Sequence, residues 1–204
     1  MTARDAAAAS AQADCVRVAI LADTHGWVDP RILEVVAGCD LAIHGGDVGR
    51  AAVLAALRPA SGHVHAVSGN NDIPSKWPES DRDLLARLPE RLELALPGGR
   101  LVAVHGHRIP ARDRHARLRE RFPDARLVVY GHSHRLVLDL DAQPWVANPG
   151  AAGHDRTFGG PSCLVLLAGP DRWHLECVRF RPAAGRGRGA YALGTGSQRD
   201  VTER

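Results

Sequence analysis

Three pairs of side chains that can bind metal ions lie two residues apart in the sequence. The pairs are Asp23 and His25, His105 and His107, and His132 and His134. In an extended chain, residues two apart point to the same side and lie roughly 6–7 Å from each other. One such pair can reach two metal ions about 3.5–4 Å apart, which is the separation used by dinuclear hydrolases. The spacing therefore indicates metal-assisted hydrolysis.

Two further segments carry ligands of the same kind, namely Asp47 and the turn from Asn70 to Asp72. Each of the five segments is weak evidence by itself. A single His-x-His is more often a pair of surface or hydrogen-bonded histidines, and an Asp-Thr-His-Gly or Asn-Asn-Asp stretch can be an ordinary turn. All five, however, follow predicted strands. Because the carboxyl ends of strands in an open α/β sheet meet at one crevice, their side chains can converge there.

The elements that must position these segments are short apolar strands that alternate with helices. In the first half, strands are predicted at 16–22, 41–44 and 63–67, and helices at 29–36 and 51–57. Asp29 is the candidate N-cap of the first helix, and Gly38 ends it. This βαβαβ order is typical of parallel strands with helical crossovers.

In the second half of the sequence, predicted strands outnumber predicted helices. A hairpin at 91–96 and 101–104 and a helix near 111–121 are followed by strands near 126–130, 135–140, 145–147, 162–168 and 172–180. The two halves together predict an α/β fold, a four-layer αββα sandwich of two mixed sheets flanked by helices.

Bulk properties limit the class of protein. A chain of 204 residues suits one domain, expected at 15–180 between a flexible N-terminal segment, 1–14, and a disordered Arg/Gly-rich tail, 181–204. The formal net charge is only +3 and the arginines are scattered, so nucleic acid is expected at most as a substrate. Four cysteines without a CxxC pair argue against a zinc ribbon. Neither a signal peptide nor a membrane span is evident, so we expect a cytoplasmic protein without a membrane partner.

As an ordered set, the motifs resemble the calcineurin-like metallophosphoesterase family over about residues 16–180. The matching segments are Asp23-Thr24-His25, His44-Gly45-Gly46-Asp47, Gly69-Asn70-Asn71-Asp72, His105-Gly106-His107, Gly131-His132-Ser133-His134 and Asn148-Pro149-Gly150. The compact chain is similar to the family's small prokaryotic phosphodiesterase branch.

The resemblance implies two metal sites that share one carboxylate. Asp23, His25, Asp47 and His134 would hold one ion, whereas Asp47, Asn70, His105 and His132 would hold the other. This mixture of oxygen and imidazole ligands favours transition-metal ions, with Mn²⁺ expected first and Fe²⁺, Zn²⁺ or Ni²⁺ as alternatives. The expected function is that of a hydrolase, a phosphodiesterase in which a hydroxide that bridges the metals attacks a small phosphate ester.

The expected catalytic residues are His107, Asn71 and Asp72. Larger family members have a histidine where this chain has Asn71, which carries no acidic proton at neutral pH. His107 is either a proton donor, a phosphate contact or a satisfied neighbour of the ligands, and Asp72 is expected to orient a ligand. Two other functions stay open. One is a phosphomonoesterase or nucleotidase, and the other is a catalytically weak protein-interaction scaffold, as in a eukaryotic retromer subunit of this fold.

Overall fold

The computed structural model describes residues 15–182 and 199–202. The described chain forms strands β1 Val16–Leu21, β2 Leu41–His44, β3 Val64–Ala66, β4 Arg91–Leu96, β5 Gly99–Val104, β6 Leu127–Tyr130, β7 Leu136–Asp139, β8 Trp145–Pro149, β9 Ser162–Ala168, β10 Trp173–Arg179 and β11 Arg199–Thr202. The helices are α1 Pro30–Ala37, α2 Ala51–Ala56, α3 Arg82–Leu85 and α4 Arg114–Arg121, and a 3₁₀ turn covers Glu79–Asp81. In this part of the chain, no helix has the length and apolar character needed to cross a membrane.

The strands form two mixed sheets. One has six strands in the order β11-β10-β9-β1-β2-β3, and the other has five in the order β4-β5-β6-β8-β7. Strands β1, β2 and β3 run parallel, with Leu21 level with His44 and His44 level with Ala66. In the second sheet β5 and β6 run parallel, with Val104 level with Tyr130. Within each sheet, the candidate ligand segments therefore leave neighbouring parallel strands at the same level.

The alternation of side chains along each strand creates the layers. In β1, Val18 and Ile20 point into the core between the sheets, where they join residues of the second sheet such as Leu127. The residues between them, Ala19 and Leu21, pack on the opposite face with α1. On the outer face of the second sheet, Val102, Val128 and Val146 pack against Leu118 and Phe122 at α4. The predicted four-layer αββα sandwich is confirmed.

Local signals set the helix boundaries. The Asp29 carboxylate accepts a hydrogen bond of 3.0 Å from the backbone N–H of Arg31, Pro30 opens α1, and Gly38 closes it, as the sequence predicts. Helix α4 begins later than predicted. Asp113 adopts a left-handed backbone with φ 57°, which interrupts the helical conformation before Arg114.

Part of the C-terminal segment that we predict to be disordered forms a strand. β11 pairs antiparallel with β10, with Leu175 level with Val201. The predicted flexible segment 1–14 and the other residues of the tail beyond 182 lie outside the described residues.

Candidate metal centre

The loops that follow β1 and β2 run side by side and place the first ligands. The backbone N–H of Asp23 donates to the carbonyl of Gly46 at 3.0 Å, and that of His25 donates to the carbonyl of Asp47 at 2.9 Å. These bonds extend the contact between the parallel strands beyond their ends. As a result, Asp23, His25 and Asp47 face the same space.

The i, i+2 pairs do not have the extended backbone that the sequence argument assumes, so that part of the reasoning is wrong. The φ angles are 55° at Asp23, 48° at His25, 55° at Asp47, 67° at His132 and 57° at His134. Each left-handed L-residue costs on the order of 1–2 kcal/mol. In the pair His105 and His107, the residue between the histidines, Gly106, has φ 88°. The side chains therefore converge because the chain turns sharply, not because of a strand's pleat.

A first group of ligand atoms consists of Asp23, His25 and His134, whose donor atoms all lie within 4.8 Å of one another. His134 Nε2 lies 3.5 Å from Asp23 Oδ1, and the Nε2 atoms of His25 and His134 are 3.1 Å apart. One carboxylate and two imidazoles with converging atoms can hold a transition-metal ion.

A second group consists of Asp23, Asp47 and His105, again within 4.8 Å of one another. His105 Nε2 lies 3.4 Å from Asp47 Oδ2. Asn70 Oδ1 lies 3.2 Å from His105 Nε2 and 2.8 Å from His132 Nδ1, so Asn70 and His132 adjoin this group.

The two groups share Asp23, and Asp47 of the second group also lies near the first. The Oδ2 atom of Asp47 is 3.8 Å from His25 Nε2 in the first group and 3.4 Å from His105 Nε2 in the second. All seven residues predicted as ligands are thus brought together, and Asp47 lies at the position expected of a shared ligand. Asp23 is a member of both groups, which the sequence does not indicate.

Hydrogen bonds fix which ring nitrogens face the centre. His105 Nδ1 lies 2.9 Å from the carbonyl oxygen of Gly45, and His134 Nδ1 lies 2.9 Å from that of Asp155. Because a carbonyl only accepts, Nδ1 carries the proton in both rings, and Nε2 is the ring atom that faces the carboxylates. This is the arrangement that metal-binding histidines require.

The electrostatics of the pocket favour a bound cation. Asp23 is fully buried, its Oδ2 atom has no hydrogen-bond partner, and burial raises its pKa to about 7. Burial alone would raise the pKa of Asp47 too, but hydrogen bonds from His105 and Asn71 outweigh it and hold that pKa below its ordinary value. Burial lowers the pKa of His134 to about 4, which keeps its imidazole neutral. An unpartnered buried carboxylate oxygen beside the neutral imidazole of His134 fits the two divalent ions that the ligand set suggests.

Asn71 is directed at the shared carboxylate. Its backbone N–H donates to Asp47 Oδ1 at 2.7 Å, and its side-chain Nδ2 donates to Asp47 Oδ2 at 2.6 Å. Its Oδ1 accepts a hydrogen bond from Lys76. Asn71 therefore orients Asp47 and connects it to a lysine at the rim.

Asp72 is a positioning residue. Its buried carboxylate accepts four N–H groups, from Gly69 at 2.8 Å, Val48 at 3.1 Å, Gly49 at 2.9 Å and Trp77 Nε1 at 2.9 Å. These bonds tie the loop after β2, which carries Asp47, to the loop after β3, which carries Asn70.

Replacing Asp72 with alanine is expected to lower the free energy of unfolding by about 3 kcal/mol, because each buried N–H left without an acceptor costs about 1–3 kcal/mol. Urea denaturation measures the loss. Asp171→Ala, at an exposed turn, is the matched control and is expected to change stability by less than about 0.5 kcal/mol. Equal stability of the two variants would contradict the positioning role.

His44, which opens one of the matching motifs, is buried between the loops that follow β1 and β2. The backbone N–H of Gly46 donates to His44 Nδ1 at 3.2 Å, so His44 Nε2 carries the proton and donates to Thr24 Oγ1 at 2.9 Å. Burial lowers the pKa of His44 to about 4. The hydroxyl of Thr24 in turn donates to the carbonyl of Val48 at 3.0 Å, which fixes the two ligand loops to each other.

One residue that sequence reasoning missed is Arg156, whose Nη2 atom lies 3.1 Å from His134 Nε2. It belongs to the loop after β8, which has no motif except Asn148-Pro149-Gly150 at its start. Nothing in the sequence around Arg156 indicated that it reaches the centre.

Comparison with known proteins agrees with this geometry. Residues 16–168 match the Calcineurin-like phosphoesterase superfamily domain. No curated protein matches the sequence.

Solved structures share the fold at low identity. A single mutant of Vps29 from Entamoeba histolytica superposes with a TM-score of 0.70 at 16% identity, over 92% of this chain and 99% of that one. A predicted phosphoesterase from Streptococcus pneumoniae gives 0.59 at 20% identity, over 92% and 98%. An archaeal phosphodiesterase gives 0.55 at 22% identity, over 74% and 92%. The family match covers most of the sequence, and the chain belongs to the calcineurin-like phosphoesterase superfamily.

Proposed function

We propose that this protein is a dinuclear-metal phosphoesterase that acts on small phosphodiesters. The observation that carries the proposal is the convergence of seven ligand side chains, Asp47 among them, beside the unpartnered Oδ2 atom of the buried Asp23. A complete ligand set is expected of an enzyme and is not required of a scaffold.

The residues of the centre match phosphate chemistry. When bound, two divalent ions supply positive charge and a water molecule that ionises near neutral pH. Asp23 and Asp47 offset only half of that charge, so the centre attracts a phosphate anion. We propose Mn²⁺ as the native ion, with Fe²⁺, Zn²⁺ or Ni²⁺ as alternatives. We also propose a cytoplasmic location, where the buried thiols of Cys39 and Cys163 stay reduced.

His107 lies beside the ligand cluster. Its ring centroid is 5.5 Å from that of His105 and 6.2 Å from that of His132. Its Nδ1 atom is buried and without a partner, and burial lowers its pKa, with the His105 charge acting in the same direction. A neutral imidazole at this place is suited to donate a hydrogen bond to the phosphate and is poorly suited to protonate a leaving group.

The His107→Ala variant is therefore expected to raise KM about tenfold, since a hydrogen bond to a charged group contributes about 1.5–3 kcal/mol. The increase should be similar for esters with good and poor leaving groups. His107→Gln keeps an N–H donor and is expected to retain more of the affinity. Steady-state kinetics on a series of substituted phenyl phosphodiesters measures this. A loss of kcat that grows as the leaving group worsens would instead assign His107 as the general acid.

Asn71 supports the preference for a diester with a good leaving group. Its side chain is engaged with Asp47 and Lys76 and has no acidic proton. Without a proton donor at this position, we expect the rate to fall steeply as the leaving group becomes more basic. The archaeal phosphodiesterase has the same fold as this chain, which is compatible with this preference. Vps29 has the same fold too, so a protein-interaction scaffold is the second candidate function.

The proposal is tested by assaying protein reconstituted with Mn²⁺ on bis-p-nitrophenyl phosphate and on p-nitrophenyl phosphate. We expect turnover of both, faster on the diester, and a loss of at least about 10³-fold in His132→Ala. The control is His63→Ala, which removes an exposed histidine and should leave the rate unchanged. Faster turnover of the monoester would favour the phosphomonoesterase. No turnover with any of the four ions would favour the scaffold.

A further inference from the structure

The loop between β8 and β9 is fastened to the loop that carries Asp23 and His25. The backbone N–H of Ala152 donates to the carbonyl of Ala22 at 2.9 Å, and that of Asp29 donates to the carbonyl of Ala152 at 3.0 Å. At Gly153 the two loops touch, because a Cβ there would lie 2.6 Å from the carbonyl oxygen of Thr24. The position of the β8–β9 loop is thus tied to that of the loop that carries Asp23 and His25.

This loop brings a cationic side chain to the centre. The carbonyl of Asp155 holds His134 through its Nδ1 atom, and the next residue, Arg156, has φ 51°. A left-handed arginine costs on the order of 1–2 kcal/mol. The guanidinium reaches the opposite nitrogen of the same ring, with Nη2 at 3.1 Å from His134 Nε2. Strain of this kind is a reason to look for a function.

Arg156 forms no close ion pair. Among residues 15–182 it has no acidic group within 4.0 Å, its polar contact is His134, and the charge of Asp23 attracts it only from farther away. Two divalent ions at this centre would repel a guanidinium unless an anion lay between them. An unpaired arginine at this place therefore suits a ligand that is itself an anion.

A second cation is connected to Asp47 through Asn71. Lys76, the only lysine in the sequence, donates to Asn71, which contacts Asp47. The centre is thus bordered by Arg156 next to His134 and by Lys76 next to Asn71. Of the two, the arginine reaches a ligand atom directly.

We propose that Arg156 is a substrate-binding residue whose guanidinium holds a non-bridging oxygen of the phosphate. This inference rests on the proposed function, since it presumes that the centre receives a phosphate ester. Arginine suits the role because its planar fork of N–H groups can bind two oxygens of a phosphate at once. The competing explanation is that Arg156 is only a placeholder, which contacts the Nε2 atom of His134 until a metal ion binds that atom.

The test is calorimetric titration of inorganic phosphate into Mn²⁺-loaded protein, which requires no turnover. Arg156→Gln is expected to weaken phosphate binding at least tenfold, and Arg156→Lys is expected to restore part of it, with Mn²⁺ affinity unchanged in both. The control is Arg172→Gln, an exposed arginine at the β9–β10 turn, which should bind phosphate as the wild type does. Thermal unfolding of each variant establishes that it is folded, and the lysine variant keeps the test valid if glutamine destabilises the loop.

Unchanged phosphate affinity in Arg156→Gln, with tighter Mn²⁺ binding, would overturn the proposal in favour of the placeholder. Failure of the wild type to bind phosphate would overturn it as well. If the wild type binds phosphate through Arg156 but hydrolyses no ester, the proposed function fails and the phosphate site stands. If esters are hydrolysed, Arg156→Gln should raise KM at least tenfold and change kcat less.

Discussion

Asp47→Ala is expected to lower the proposed phosphodiesterase activity by at least about 10³-fold and to lose high-affinity binding at both proposed metal positions. The reason is geometric, since Asp47 Oδ2 lies within 4 Å of ligand nitrogens in both groups, at 3.8 Å from His25 and 3.4 Å from His105. Loss of the shared carboxylate also removes one of the two negative charges that balance the cations. Elemental analysis of protein dialysed against Mn²⁺ gives the bound metal, and the same samples are assayed on bis-p-nitrophenyl phosphate.

Two further variants test the same prediction. Asp47→Asn keeps an oxygen in place but loses the charge, so it should bind metal more weakly than the wild type and more tightly than Asp47→Ala. Asp171→Ala, an exposed carboxylate at the β9–β10 turn, should leave metal content and rate unchanged. If Asp47→Ala retained two metal equivalents, Asp47 would not be the shared ligand.

Gly69→Ala is expected to lower the free energy of unfolding by about 2–3 kcal/mol, in line with the usual cost of overpacking a fully occupied site. A Cβ at Gly69 would overlap the backbone nitrogen and Oδ1 of Asp47 and lie 2.8 Å from its Cγ. Because the loop that would have to move carries the shared ligand, we also expect weaker Mn²⁺ binding. Urea denaturation and Mn²⁺ titration measure the two effects.

The matched control is Gly38→Ala at the end of α1. Gly38 has φ −86°, which any L-residue adopts, and its added Cβ would meet only the carbonyl of Val35 at 3.5 Å. We expect this variant to stay within about 0.5 kcal/mol of the wild type. A Gly69→Ala protein as stable as Gly38→Ala would show that the loops are not packed as described.

The strands and the candidate ligand segments were accessible from the sequence because both leave local signals. The apolar runs of β1 and β2, the capping of α1 by Asp29 and Gly38, and the polar residues that follow strands are all short-range patterns. Parallel pairing then brings the ends of strands together without any knowledge of long-range contacts.

The backbone conformation of the site was not accessible in the same way. Left-handed φ angles at Asp23 and His134 are held by contacts between loops that are distant in sequence, such as the bond from His25 to the carbonyl of Asp47. A single sequence does not reveal such contacts. For the same reason an extended spacing was assumed where the chain turns.

The roles of Arg156 and Asp72 were also not accessible from the sequence, because they depend on tertiary contacts. Arg156 reaches His134 only because the β8–β9 loop is anchored to Ala22 and Asp29, and these contacts span more than a hundred residues. The role of Asp72 depends on Trp77, whose indole N–H donates to it, although the sequence alone left that tryptophan without a role. Residues without a motif acquire a role through tertiary contacts.

The central claim is that two metal ions, held by this set of ligands, hydrolyse phosphate esters. The most direct measurement is a titration of metal-free protein with Mn²⁺ in which bound metal and turnover of bis-p-nitrophenyl phosphate are followed together. We predict saturation at two equivalents per chain, with turnover that requires the second. Saturation at one equivalent, or two bound ions without turnover of any phosphate ester, would contradict the claim.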